Sequence, residues 1–225
     1  MSETKENILR DNQLTALGNL LAGYTHELKN HLGIINESSG LMGDILEMSE
    51  GVDDQISERF KKIITTIGER IAQANTMAKF LNSLAHRMDE PDSTFHVNDI
   101  LLENIAFLVR FARLKSISFK ENMQEDLPSI NNNPGLLHFV IFRLMQKIIE
   151  QIESGAEILL SSATRDHDVM VTLEFPNVPD LSVTGEDPAQ TDEALHLAMT
   201  KMNLTLSEEC PGQDRRRISI VIPSR

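Results

Sequence analysis

The chain has 225 residues, with 21 Lys and Arg against 34 Asp and Glu and a formal net charge of -13. That acidity excludes a nucleic-acid binder, which needs clustered positive charge. A 40% hydrophobic and 24% charged composition excludes wholesale disorder. With no Trp and one Tyr, aliphatic side chains and Met must fill the core. The single Cys210 permits no intrachain disulfide and fits a reducing compartment. Met1 to Asn12 has no signal-peptide character, and no run reaches the roughly 20 apolar residues of a membrane span. A cytoplasmic protein without membrane contact is expected.

Residues 5–50 read as one long helix. Leu14, Leu17, Leu21, Tyr24, Leu28, Ile35 and Met42 recur in heptad spacing, with Leu32 beside the seam. Gly51, Val52, Asp53 and Asp54 form a turn. A second helix to Met88 carries the seam Phe60, Ile64, Ile67, Ile71, Ala74, Ala78, Leu81, Ala85 and Met88. A short turn makes the two helices antiparallel neighbours, and a lone hairpin buries little. Pairing with a second copy into a homodimeric four-helix bundle follows. Asp89 to Ser93, with Pro91, breaks the pattern and divides the chain into domains 1–90 and 94–225.

The second domain mixes helix and strand, giving an α+β chain overall. A helix spans Asn98 to Leu114 with Asn98 as its N-cap. Ile117 to Lys120 is a strand, Asn131 to Pro134 a turn, and Gly135 to Glu153 an apolar helix. Glu157 to Ser161 and Val169 to Phe175 are strands, and Pro176 to Gln190 is a loop. Thr191 to Met202 is a helix, followed by strands at Leu204 to Ser207 and Ile218 to Ile222. Arg215, Arg216 and Arg217 read as a solvated turn. This order predicts an α/β sandwich, a sheet with helices on one face.

His26 stands opposite the seam of the first helix, among Ala22, Gly23, Lys29, Asn30 and Gly33, with Gly40 continuing the line. Each helical Gly costs roughly 0.5–1 kcal/mol relative to Ala. Small residues around an exposed histidine let a partner approach the helix closely, so Ala22, Gly23, Lys29 and Gly33 form a candidate docking surface. A neutral imidazole is a good nucleophile near neutral pH. Glu27 can accept its proton or orient the ring. Asn30, at i+4, can position a water or phosphoryl oxygen. A zinc-protease helix would need a second His where Asn30 stands, so no metal site is expected. His86, His96, His138, His167 and His196 share no spacing and read as structural or surface residues. Met77, Met88, Met145 and Met202 read as core, and Cys210 as incidental.

Leu20 to Gly33, LLAGYTHELKNHLG, resembles the phospho-acceptor box of bacterial histidine kinases. His26, Glu27 and Asn30 match its His, acidic and Asn positions, and His31 replaces the usual Pro. The resemblance implies His26 as phospho-acceptor, Glu27 as aid to proton removal and Asn30 as support for dephosphorylating a partner receiver. It also implies a dimerising hairpin in front of an ATP-binding domain. Along that domain the likeness continues with departures. Arg143 and Lys147 stand where the family's helix carries two Asn, one of which holds magnesium; a Lys offers donors and no lone pair. Glu174 to Leu181, EFPNVPDL, has no glycine where the family has an Asp and two glycines, and Glu174 and Asp180 are poor stand-ins. Ala194, Leu195, His196 and Leu197 replace a Gly-x-Gly-Leu box.

The resemblance therefore implies a histidine phosphotransferase on a kinase-like scaffold, with receiver domains of response regulators as partners. No cofactor of its own is expected, magnesium coming from the receiver. An ATP-dependent histidine kinase with a divergent site is the alternative, and a non-catalytic scaffold or phosphatase for a receiver the third reading.

Overall fold

A computed structural model describes residues 2–48, 53–89, 92–178, 192–212 and 214–224. Two compact units emerge: Leu21–Leu84, and Met1–Leu20 together with Ala85–Arg225.

The first of these is the helical hairpin. Its helices are the middle of α1 (Ser2–Met48) and most of α2 (Asp54–Asp89). The α1 helix continues unbroken through the histidine motif. His31 keeps the backbone N–H that a proline would delete, so the local hydrogen-bond ladder has no built-in break. Asp53 caps α2, its carboxylate accepting from the Ile56 N–H at 2.8 Å. The expected turn at Gly51 and Val52 lies outside the described residues. The helices run antiparallel: Tyr24 Oη donates to the Met77 carbonyl at 3.0 Å. These two positions lie about equally far from the connection. The apolar stripe splits in two. Leu20, Tyr24 and Leu84 are buried, whereas Leu14, Leu21, Ile64 and Ile71 are exposed. One set closes the chain on itself, and the other is left over at seven-residue spacing. Met88 is exposed, a correction to its expected place in the core.

The second unit holds two sheets and three helices. Strand β1 (Ser93–Phe95) pairs antiparallel with β3 (Ile130–Asn132). The larger sheet has the order β2-β4-β5-β7-β6, from β2 (Ser118–Met123), β4 (Glu157–Arg165), β5 (Asp168–Pro176), β7 (Arg215–Ile222) and β6 (Thr205–Glu209). Only the β2–β4 pair is parallel. Alternate residues Ile158, Leu160, Val169, Val171, Leu173, Phe175, Ile218, Ile220 and Ile222 are buried, as a half-covered sheet requires. Helices α3 (Val97–Leu114), α4 (Pro134–Gln151) and α5 (Glu193–Met202) supply the opposing layer with Ile100, Leu101, Phe107, Leu137, Ile141, Leu144, Ile148 and Ala198. The expected sandwich is the observed one.

Local corrections have identifiable causes. The α3 helix begins before Asn98, with His96 at its cap and no side-chain capping bond. Asn98 instead donates to the Gln124 carbonyl at 2.8 Å and accepts from Ser162 Oγ at 2.7 Å. Asn131 and Asn132 are in a strand rather than a turn, because Ile130 pairs with Phe95. The true cap there is Asn133, which accepts from the Leu136 N–H at 2.7 Å ahead of Pro134. Arg215, Arg216 and Arg217 lie in β7 and not in a turn. Arg216 pairs with Glu208 and Arg217 with Glu174, each at 3.0 Å. The expected loop at Pro176 to Gln190 lies outside the described residues from 179 onward.

One end of α2 is tied firmly into this unit. Arg87 makes a two-pronged contact with the buried Glu103, Nε at 3.2 Å and Nη2 at 3.0 Å. A Cβ added to Gly135 would sit 3.1 Å from the Arg87 carbonyl, so any side chain there would press on the end of α2.

Candidate functional site

His26 is exposed on α1. Helical geometry puts Asn30 one turn further along the same face, and the structure joins them: Asn30 Nδ2 lies 3.3 Å from His26 Nδ1. A donating amide would leave the ring proton on Nε2. A half-turn of the amide presents Oδ1 to Nδ1–H and leaves the Nε2 lone pair free. Only in the second arrangement does Nε2 carry the lone pair, and there it is the nitrogen available to attack an electrophile. Glu27 is half-buried.

Around the imidazole, Ala22 and Lys29 are exposed, and Gly33 is half-buried. Gly23 is buried, a correction to its expected exposure. The rotation that brings Leu20 and Tyr24 inward carries Gly23 with them. A Cβ added at Gly33 or Gly40 would meet nothing within 4 Å. Among the described residues, no neighbour demands glycine at either position.

The second set of sequence candidates lies on α4 and α5. Arg143 is fixed: Nη2 donates to Asp192 Oδ2 at 2.8 Å and Nε to the same oxygen at 3.2 Å. Asp192 also caps α5, Oδ1 accepting from the Leu195 N–H at 3.1 Å. Ala194 and Leu195 are buried in the first turn of α5, and His196 is exposed. Lys147 is half-buried on α4. Glu174 receives two donors from Arg217, at 3.0 and 3.3 Å, on the sheet face opposite the buried Phe175. Asp180 lies outside the described residues. The donor set here is cationic where a magnesium ion needs oxygen lone pairs, so these residues do not fit that ion. Among the described residues, no group of three His, Cys, Asp or Glu could hold a metal ion. No helix among them is long and apolar enough to cross a membrane.

Sequence reasoning read His138 only as structural or surface. It is buried on α4, edge-on to Phe107 with ring centroids 5.4 Å apart. Burial, and then the Arg87 charge, pull its pKa down to about 3. Glu103 is raised by burial, against the lowering effect of Arg87. A buried neutral histidine beside an ion pair is a core element, and its apolar neighbours Leu137, Phe139 and Val140 were the available signal.

No family model matches the chain. It is 24% identical to sporulation kinase A of Bacillus subtilis (strain 168) over 176 residues, 76% of this chain and 27% of that protein. It is 25% identical to sporulation kinase E of the same organism over 173 residues, 76% of this chain and 22% of that protein. In solved structures, it resembles histidine kinase ThkA in complex with response regulator protein TrrA, with a TM-score of 0.51 at 19% identity, over 100% of this chain and 66% of that one. The chain is bacterial histidine kinase-like. Its helical hairpin and mixed sheet domain match the order of the phospho-acceptor and ATPase-like parts of that fold. It spans about a quarter of the curated relatives' length.

Proposed function

We propose that the chain is a histidine phosphotransferase of a two-component phosphorelay, carrying phosphoryl groups on His26 between aspartates of response-regulator receiver domains. The observation that carries this is the exposed His26–Asn30 pair with Nε2 free. Nε2 attacks the phosphorus of an aspartyl phosphate. The new N–P bond forms as the acyl O–P bond breaks, and the receiver's carboxylate leaves. With the Asn30 amide turned to present Oδ1, Nδ1 donates to it and keeps its proton, and Glu27 offsets the charge of the cationic ring from one residue away. A second receiver reverses these steps. Transfer of this kind is mainly positioning and charge stabilisation, and the receiver with its magnesium supplies much of the latter.

Ala22, Lys29 and Gly33 border the imidazole and form the docking surface, with Gly23 beneath it. The leftover stripe of Leu14, Leu21, Ile64 and Ile71 pairs with a second copy into a four-helix bundle. Each dimer then carries two His26 sites in a cytoplasmic protein. The α/β domain holds structure and no nucleotide: Arg143 is tied to Asp192, and Ala194 and Leu195 are packed.

The names of the two curated relatives favour a second reading, an ATP-dependent histidine kinase with a divergent site. One experiment separates the two. Purified chain is mixed with a panel of phosphorylated receiver domains and, separately, with magnesium–ATP, and acid-labile phosphate is followed on wild type and His26→Gln. Label from receivers alone, lost in the variant, is the expected result. Label directly from ATP would establish the kinase. No label from either source would leave a scaffold.

A further inference from the structure

Two polar atoms inside the hairpin have no hydrogen-bond partner: Nδ1 of His31 and Nε of Arg70, both fully shielded from solvent. One is an obligate donor, since a guanidinium has no lone pair. The other is an acceptor whenever the imidazole carries its proton on Nε2. Their positions match. The Tyr24–Met77 contact fixes the antiparallel register. Seven residues further along α1 and seven back along α2 lead to His31 and Arg70, two helical turns from the anchor on each helix. That register places the two residues at the same level of the hairpin. The guanidinium is already oriented, because Nη1 donates to Gln73 Oε1 at 2.9 Å. A buried donor left unmade costs about 1–3 kcal/mol, more when charged, and a bond between these two atoms would satisfy both at once.

We propose that Arg70 Nε–H donates to His31 Nδ1 across the hairpin, and that this bond fixes the rotation of α1 beneath His26 and Asn30. His31 follows Asn30 directly, so the inward side chain at 31 and the outward pair at 26 and 30 turn together. Buried polar pairs of this kind set register more than stability. His31 and Arg70 are positioning residues in this account and touch no phosphoryl group. That second half rests on the phosphotransfer reading; the bond itself does not.

The test has two arms on the full chain. Long-range ¹H–¹⁵N correlation of labelled imidazoles at neutral pH should show His31 as the Nε2–H tautomer with Nδ1 accepting. An Nδ1–H tautomer or a protonated ring would overturn the bond. The second arm follows phosphoryl transfer to His26 from a phosphorylated receiver for Arg70→Leu, His31→Leu, the double variant and His31→Gln. Each Leu variant should slow transfer at saturating receiver roughly tenfold, the scale of a misplaced reacting group, with half-saturation unchanged. The double variant should recover most of the loss, because removing both partners leaves no orphan. His31→Gln, whose Oε1 still accepts, should stay near wild type. Additive losses in the double variant would sink the pairing. If single variants fail to fold, the tautomer decides. If no receiver labels wild type, the phosphotransfer reading fails while the tautomer still judges the bond.

Discussion

The hairpin and the α/β unit carry likeness to a histidine kinase in opposite ways. In the hairpin, three motif residues stand together on or beside an exposed face, and among the described residues His26 is left open to solvent. In the α/β unit, the sheet order and the helical layer are present, and two of the polar positions singled out there are held in ion pairs. Arg143 is bound by Asp192 and Glu174 by Arg217. A fold is specified by many apolar residues, each replaceable by another of similar volume. A site is specified by a few residues whose chemistry has no substitute. On the phosphotransfer reading, fold and site part company in the α/β unit while the hairpin keeps both.

The largest expected effect tests the hairpin side of that contrast. His26→Gln should abolish acid-labile phosphate altogether while leaving the melting temperature within a degree or two, since exposed substitutions usually change stability by less than about 0.5 kcal/mol. Residual acid-labile label in the variant would place the acceptor elsewhere.

Acid should strike the α/β unit. His138, buried, has a folded pKa near 3 against an ordinary 6.5. The unfolded chain therefore binds more protons between these values. The stability His138 contributes is fully present above pH 6.5 and is lost as the pH falls toward 3. Glu103 works in the opposite sense. Its raised pKa favours the folded state below 4.5 and gives that contribution up as the pH rises through its folded value. The His138 shift amounts to several kcal/mol as an order of magnitude. Urea melts across pH 7 to 4 on wild type and His138→Leu should show a shallower acid loss in the variant. Parallel curves would mean that His138 is not the group responsible.

Asp192→Ala asks what the Arg143 pair does. The substitution removes the α5 cap and strands a part-buried guanidinium, a loss of about 2 kcal/mol. Wild type should show no thermal shift with magnesium–ATP, whereas a ligand at 100 times its dissociation constant would add about 2.7 kcal/mol. A shift in wild type would return the α/β unit to nucleotide binding and erase the contrast.

How much of this was legible follows from the range of each signal. The heptads and the His26–Asn30 adjacency were readable because helical spacing is fixed over four to seven residues. The strands of the larger sheet announced themselves by alternation. Arg215 to Arg217 misled because their partners Glu208 and Glu174 sit on other strands. Asn131 and Asn132 misled because turn-like composition was outweighed by pairing with β1. Nothing local marks the Arg87–Glu103 pair, 16 residues apart on different helices. Likewise, the burial of Gly23 depends on which flank of the apolar stripe meets α2, which the heptad alone leaves open.

The smallest effect is the most discriminating about docking. Gly33→Ala adds a methyl group that meets nothing within 4 Å. Alanine favours the helix, so the hairpin should gain about 0.5–1 kcal/mol. If glycine is kept there only by chance, transfer to His26 should be unchanged in a slightly more stable protein. If a receiver lies close against the helix backbone, the added methyl pushes it away. The concentration of receiver giving half-maximal transfer should then rise severalfold, while the rate at saturation holds. Measured together, a higher melting point and a weaker receiver would assign the glycine to the partner, because no contact among the described residues is lost by the change.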